Sequence, residues 1–193
     1  MDSLNTNASL IQRARDQQDE TSWEEFFRYY RPYIFAICLK MNVNYHDCED
    51  LVQKILLALW EKLPDFEYSP EKSRFRTWLS KVVRNHVLNH FKKENSLQKK
   101  HDNVPESSEY DLPTVEAMAE EEWKHYISNL AWENVKGDFT EKTQRCFELL
   151  SDGHSPAKVA EEVGIDQSTV YVHKKRILER LYREIVRLDR DLY

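Results

Sequence analysis

The chain has little of what interrupts helices or fixes an extracellular fold. Its 193 residues include three glycines and six prolines, so long helices can form without frequent breaks. The three cysteines are odd in number and far apart, which argues against a disulfide framework and favours a reducing cytoplasm. No apolar run reaches the length of a membrane span, and residues 1–8 lack the apolar core of a signal peptide. These absences predict an all-α, cytoplasmic protein.

Helical periodicity and turn residues divide the chain into three parts. Residues 9–93 carry apolar side chains at helical spacing and predict one helical domain. Residues 94–113 contain asparagines, serines and prolines without a helical period, which is typical of a flexible linker. The period returns in residues 114–193, where we expect a second helical domain. The predicted architecture is therefore two helical domains joined by a flexible linker.

The first long helix is predicted to begin at a capping box. Residues 21–24 read Thr-Ser-Trp-Glu, in which a hydroxyl side chain precedes a glutamate by three positions. We expect the helix to continue through Met41. Its expected core residues are Trp23, Phe26, Phe27, Tyr30, Ile34, Ile37 and Cys38.

The helix pair expected within residues 47–93 carries a strong charge contrast. Acids crowd the first turn of its first helix, where a carboxylate complements the helix dipole. The stretch 71–101 then holds nine basic and two acidic residues, a local net charge of +7. Aromatic residues are interleaved with these cations, which suits single-stranded nucleic acid because cations contact phosphates and rings stack on bases. A core helix with a solvated basic face explains the same pattern equally well.

The acidic stretch that follows also has two interpretations. Residues 102–122 contain eight acids and no base. A solvated spacer is the simpler interpretation. The alternative is a mimic of nucleic acid that occupies a basic channel.

Residues 156–177 have the pattern of a helix-turn-helix. Ser155 followed by Pro156 predicts a helix start, and Gly164 supplies the positive φ that a tight turn needs. Asp166 is expected to cap the second helix, which would present polar and basic side chains to DNA. An ordinary αα-hairpin is the less favoured alternative. The expected buried wedge consists of Val159, Val163, Ile165, Val170 and Ile177.

Together these blocks resemble the bacterial RNA polymerase sigma factors of the extracytoplasmic-function (ECF) class. Residues 47–85, with DLVQ at 50–53 and FRTWL at 75–79, resemble region two of that family, and residues 143–183 resemble region four. The resemblance covers about residues 9–188, and the linker falls where this class has a short connector. It implies a non-enzymatic factor that binds core RNA polymerase and promoter DNA, and it leaves open an anti-sigma factor as a further partner.

The resemblance assigns roles to three groups of residues. Those that match the helix docking on the clamp coiled coil of the polymerase largest subunit are Asp50, Leu51, Gln53, Lys54, Leu57 and Trp60. Those that match the segment capturing and melting the minus-ten element are Phe66, Tyr68, Arg74, Arg76, Thr77, Trp78, Lys81, Arg84 and Asn85. Those that match the helix reading the minus-thirty-five element are Gln167, Ser168, Thr169, Tyr171, Lys174, Lys175 and Arg176. Lys54 departs from the family pattern, which usually has an acid there.

Two other classes of protein fit parts of the sequence. His173 stands where an apolar residue is commoner, and the run around it resembles NarL/LuxR-type response regulators. A helix-turn-helix regulator with an unrelated helical sensor domain is therefore the alternative, although it has no need of the basic-aromatic helix after residues 50–53. For an enzyme, His46 and Cys48 lack a second ligand pair, and no phosphate loop or nucleophile motif is present. We expect no catalysis, no cofactor and no metal.

Overall fold

The computed structural model describes residues 9–66, 75–98 and 110–192. Within these ranges all regular elements are helical, eight α-helices and one short 3-10 turn, which confirms the predicted all-α class. The chain forms two compact units: one takes in residues up to His125 together with those from Asp191, and the other spans Tyr126–Arg190. In the described part of the chain no helix is both long enough and apolar enough to cross a membrane.

The first unit is built on three long helices. Its elements are α1 (Leu10–Ala14), α2 (Glu20–Lys40), α3 (Tyr45–Lys62), α4 (Phe75–Gln98) and the first part of α5 (Leu112–Val135). Aromatic rings join α2 to α4, with centroid separations of 4.5 Å between Phe26 and Tyr30 and 5.3 Å between Tyr30 and Phe75. The hydroxyl of Tyr33 donates a hydrogen bond of 2.7 Å to the carbonyl of Ala119, which attaches α5 to α2.

Helix α2 begins upstream of the predicted capping box. The carboxylate of Asp19 accepts hydrogen bonds from the backbone amide of Ser22 at 3.0 Å and from its hydroxyl at 2.5 Å. Asp19 is therefore the cap, and the prediction that the helix starts at residues 21–24 is wrong by about one half-turn. The expected core is also corrected at one position, because Phe27 is 39% exposed.

The segment predicted as a linker is partly helical. Helix α4 continues through Gln98, five residues beyond position 93, because residues 92–98 are rich in good helix formers. Helix α5 begins at Leu112, where Asp111 accepts a hydrogen bond of 2.9 Å from the amide of Thr114 and Pro113 lies in the first turn. That the first family region ends at residue 93 and the second begins at residue 114 stays a prediction.

The second unit contains the helix-turn-helix. It consists of the second part of α5, α6 (Glu141–Ser151), α7 (Pro156–Val163) and α8 (Gln167–Leu192, as far as Arg190). Ser155 caps α7 with Pro156 at its first position, and Gly164 has φ of +69°, as predicted. Val159 and Val170 are fully buried against Cys146 and Leu149 of α6, with Val163 and Ile165 packed beside them.

All three cysteines are free and buried. Cys38 and Cys48 lie in the first unit, and Cys146 lies in the core of the second. Burial raises the pKa of Cys38 to about 12, and it also raises the pKa of Cys48 and of Cys146.

A buried carboxylate anchors α8 within the second unit. The carboxylate of Glu184, 7% exposed, accepts hydrogen bonds from Arg187 at 2.6 Å, from Asn134 at 3.0 Å and from Arg180 at 3.4 Å. The hydrogen bond from Arg187 outweighs the cost of desolvation and lowers the pKa of Glu184 from 4.5 to about 2.

This carboxylate predicts a specific acid dependence of stability. Because the pKa of Glu184 is lowered on folding, its contribution is present above about pH 4.5 and is lost as the pH falls toward 2. We expect Glu184→Gln to lower the free energy of unfolding at pH 7 and to flatten its decline over that acid range. Urea unfolding at several pH values measures both effects, with Glu179→Gln, 59% exposed, as the matched control. Equal pH slopes for the two variants would contradict the prediction.

Candidate functional site

The exposed face of α3 carries most of the residues assigned to polymerase docking. Asp50, Gln53 and Lys54 are exposed, and two apolar side chains stand out beside them: Leu57 is 57% exposed and Trp60 is 36% exposed. A leucine and a tryptophan this accessible do not belong to the core. They form a surface where large apolar groups are bordered by polar ones, as at protein interfaces.

Leu51 does not share this surface, which corrects its assignment to docking. It is 4% exposed and lies in line with Ile55 and Leu59, both fully buried. Because four residues make about one helical turn, Leu51 points to the core while Leu57 points away from it.

A cavity of about 400 Å³ adjoins the exposed face of α3. It is lined by Gln53, Leu57 and Trp60 of α3 together with Trp23 and Phe27 of α2. The sequence placed both α2 side chains in the core. For Phe27 the available signal was its offset by one position from the fully buried Phe26, whereas Trp23 is half-buried three positions before Phe26, on the same face of the helix.

The residues assigned to the minus-ten element are not equally accessible. Lys81 and Asn85 are exposed, whereas Arg76, Thr77, Trp78 and Arg84 are half-buried. Tyr68 and Arg74 lie outside the described residues. The assignment of Phe66 as a DNA-facing ring is corrected: it is 6% exposed, with its ring centroid 4.9 Å from that of Trp78 and 5.7 Å from that of Phe75.

The described part of the acidic stretch contacts the basic helix. The guanidinium of Arg76 lies 3.5 Å from the carboxylate of Glu120 and 5.0 Å from the ring centroid of Trp123. The Nε of Arg84 donates a hydrogen bond of 2.5 Å to the backbone carbonyl of Tyr110. From Tyr110 onward the stretch is therefore not the solvated spacer that the sequence favoured. It satisfies two of the cations that the sequence assigned to DNA.

The described residues of α8 separate into the two faces that the sequence predicted. Val170, Ile177 and Leu181 are at most 8% exposed and face the core of the second unit. The outward positions carry Gln167, Ser168, Tyr171, Lys174, Lys175 and Arg176, all of them exposed. Thr169 is half-buried because it lies beside Val170. The outward face therefore carries amide, hydroxyl and cationic groups, the types that contact base edges and phosphates.

A second and larger cavity lies within the second unit. Its volume is about 1050 Å³, and Trp132, Phe147, Leu178 and Tyr182 supply its apolar wall. Leu178 and Tyr182 are 47% and 70% exposed. None of the predicted site residues that the structure describes lines this cavity.

Comparison with known families distinguishes the two halves of the chain. Residues 26–97 match the family model described as Sigma-70 region 2, which takes in α3 and α4. Residues 138–183 match the model described as bacterial regulatory proteins, luxR family, which takes in α6, α7 and the first part of α8.

Two curated relatives carry the same family name. The chain is 23% identical over 86 residues, 45% of its length, to the ECF RNA polymerase sigma factor RpoE of Cereibacter sphaeroides. It is 41% identical over 59 residues, 31% of its length, to the ECF RNA polymerase sigma factor SigG of Mycobacterium tuberculosis. Residues 26–97 therefore belong to the sigma-70 region 2 family, and together the matches support an ECF-class RNA polymerase sigma factor. The chain spans 46% and 15% of the lengths of those two relatives.

Among solved structures, one described as CnrH in complex with the cytosolic domain of CnrY aligns with 90% of this chain and 93% of its own chain. The identity is 15% and the TM-score is 0.35, so this similarity carries no argument.

The exposure of Leu57 predicts how α3 responds to truncation. We expect Leu57→Ala to change the free energy of unfolding by about 0.5 kcal/mol or less, because surface substitutions seldom do more. Leu59→Ala, at a fully buried position on the same helix, should cost about 2–5 kcal/mol. Urea unfolding of both variants checks the difference. Equal losses would place Leu57 in the core and remove it from any docking surface.

Proposed function

We propose that this chain is an ECF sigma factor, which binds core RNA polymerase, recognises a promoter, melts its minus-ten element and so initiates transcription. One observation carries the proposal: a sigma-70 region 2 match is followed, on the same chain, by a helix-turn-helix. The protein directs the catalysis of the polymerase and catalyses no reaction itself. It acts in the cytoplasm, where polymerase and chromosomal DNA are found, and control by an anti-sigma factor is part of the same proposal.

In this proposal the exposed face of α3 docks on the polymerase. Leu57 and Trp60 supply apolar area, and Asp50, Gln53 and Lys54 supply the polar border. Trp23 and Phe27 extend the apolar area onto α2. Lys54 places a positive charge in this polar border, at a position where the family usually has an acid. We therefore expect the polymerase surface opposite Lys54 to be neutral or negatively charged.

Helix α4 supplies the groups that hold the separated strands. Lys81 and Asn85 are exposed and reach DNA without any rearrangement of the described residues. To contact phosphates, Arg76 must first release the carboxylate of Glu120, and Arg84 must release the backbone carbonyl of Tyr110. Trp78 is half-buried against Phe66 and Phe75 and presents one part of its ring to a base.

Helix α8 reads the duplex upstream. Gln167 and Ser168 lie at its N-terminal end, which is the end that enters the major groove in helix-turn-helix proteins. A glutamine pairs bidentately with adenine, whereas the exposed Lys174, Lys175 and Arg176 are suited to phosphates.

A helix-turn-helix regulator of the LuxR type is the second candidate. The match of residues 138–183 to the luxR family model favours it for that half of the chain. Such a regulator binds duplex DNA by itself and leaves the region 2 match of residues 26–97 without a role.

In vitro transcription separates the two candidates. Core RNA polymerase from the source organism is supplied with its fragmented genomic DNA, with and without the purified chain, and start sites are mapped. If the chain is a sigma factor, new start sites should appear only when core polymerase and the purified chain are both present. These sites should share sequence elements near minus ten and minus thirty-five. Transcription that still needs another sigma factor, together with tight duplex binding by the chain alone, would favour the regulator.

Docking through α3 has a direct test. Leu57→Ala should weaken binding to core polymerase at least about fivefold, since truncating an energetically important residue of an interface costs more than about 1 kcal/mol. Binding is measured by fluorescence anisotropy of a labelled chain. The exposed Tyr171→Ala on α8 is a control that should leave core binding unchanged. Unchanged affinity for the Leu57 variant would remove this residue from the interface.

The two ends of the outward α8 face should behave differently. Substituting Gln167 should change which minus-thirty-five sequence is preferred, by about 1–3 kcal/mol at one base. Substituting Lys175 should weaken all sequences alike and reduce the salt slope by about one unit. A selection over randomised sequences at two salt concentrations tests both variants. A new preference for the Lys175 variant alone would mean that α8 enters the groove in a different rotation.

The contact between Glu120 and Arg76 predicts a gain of binding. Glu120→Gln removes the acid that competes with phosphate, and because an exposed ion pair contributes about 0–1 kcal/mol, affinity for single-stranded DNA should rise up to about fivefold at low salt. Glu121→Gln changes the net charge equally at an exposed neighbouring position and serves as the control. Equal gains for the two variants would attribute the effect to net charge alone.

A further inference from the structure

Three side chains of the first unit converge at a place that the proposed function does not use. Asp47 lies in the first turn of α3, while His90 and Glu94 lie one turn apart on α4. One ligand atom from each, an imidazole nitrogen or a carboxylate oxygen, lies within 4.8 Å of the other two. Neither His46 nor Cys48, the pair whose spacing in the sequence suits a metal only weakly, belongs to this cluster.

The imidazole of His90 has an unsatisfied nitrogen. Its Nε2 atom is inaccessible to solvent and has no hydrogen-bond partner among the described residues, although the side chain as a whole is 20% exposed. The Oε2 atom of Glu94 lies 3.5 Å away, close enough for an ion pair with a protonated ring but without hydrogen-bond geometry. A buried nitrogen of this kind is unusual in a folded protein and is stabilised by a donor, an acceptor or a metal ion.

The two carboxylates add a second requirement. Oxygen atoms of Asp47 and Glu94 lie within 4.8 Å of each other, and like charges at such a separation repel. A cation between them removes the repulsion. A protonated His90 supplies one positive charge, whereas a divalent metal ion supplies two and also engages the nitrogen lone pair.

We propose that Asp47, His90 and Glu94 bind one divalent transition-metal ion, with Zn²⁺ as the best match. One imidazole and two carboxylates are ligands that Zn²⁺ accepts, at distances of about 2.0–2.2 Å, whereas Mg²⁺ and Ca²⁺ prefer oxygen alone. Binding at those distances requires the three side chains to rotate toward one another, since their ligand atoms now lie within 4.8 Å. All three residues are half-buried, so an ion can enter from solvent, and water can complete the tetrahedron.

The ion would cross-link helices α3 and α4. Asp47 precedes the docking face of α3, and His90 and Glu94 follow the DNA-facing residues of α4. A metal bound to all three ties the start of α3 to the second half of α4 and stabilises the folded unit by mass action. This inference does not rest on the proposed function, because the cluster would bind metal whether or not the chain binds polymerase.

Titration of the full-length chain with Zn²⁺ tests the proposal. After treatment with a chelator, the wild-type chain should bind one Zn²⁺ ion in a calorimetric titration, and Zn²⁺ should raise its melting temperature. His90→Ala and Glu94→Gln should each lower the affinity at least about tenfold and abolish the thermal shift. Mg²⁺ should produce neither effect. The exposed His46→Ala, one position from Asp47, is the matched control and should retain the site.

The outcomes are distinguishable from loss of folding. Circular dichroism and metal-free melting of each variant establish that it is folded, and Asp47→Asn replaces His90→Ala if that variant is not. Absence of saturable Zn²⁺ binding by the wild-type chain would overturn the proposal. Equal affinities of wild type and the ligand variants, or an equal loss in His46→Ala, would also overturn it.

Discussion

The stacking of Tyr30 against its aromatic neighbours is the contact on which the first unit depends. Its ring lies 4.5 Å from Phe26, 5.3 Å from Phe75 and 6.0 Å from Trp123, measured between centroids. All four rings are at most 4% exposed. Because large buried rings contribute much of the apolar area that a helical core removes from water, this cluster fixes α2, α4 and the first part of α5 as one body.

That cluster also determines what Arg76 can contact. Arg76 follows Phe75 directly, and Trp123 lies both in the aromatic cluster and beneath the guanidinium. The same packing that stabilises the fold therefore brings a cation of α4 against an aromatic ring and a carboxylate of α5. A cation that the family resemblance assigns to DNA is therefore held by internal partners, with which DNA would have to compete.

Local signals in the sequence were sufficient for the helix-turn-helix. Ser155, Pro156 and Gly164 each determine the conformation of the backbone next to them. Their spacing alone therefore predicts the start of α7 and the turn after it. The start of α2 was predicted wrongly because two local caps competed, and the carboxylate of Asp19 accepts two hydrogen bonds where Thr21 would accept one. The family resemblance grouped Leu51 with Leu57, although helical spacing already separated them onto different faces.

Long-range pairings could not be predicted from the sequence. The partner of Arg76 lies 44 residues away, and several acids of residues 102–122 were equivalent candidates until α5 fixed one of them at 3.5 Å. The cluster of Asp47, His90 and Glu94 likewise combines two helices, and only the i to i+4 spacing of its second pair is visible in the sequence. The family resemblance assigned Phe66 to DNA, and an aromatic ring outside a periodic helix carries no local signal of burial that would argue against this. Its packing on Phe75 and Trp78 is seen only in the structure.

The reactivity of the three buried cysteines can be used to measure local unfolding of the two units. A thiol reacts as its thiolate, and burial both raises the pKa of each thiol and blocks access to it. Alkylating reagents therefore label the native chain only when a unit opens. Because Cys146 lies in one unit and Cys38 and Cys48 lie in the other, mass spectrometry of labelled peptides can time the opening of each unit separately in a single sample.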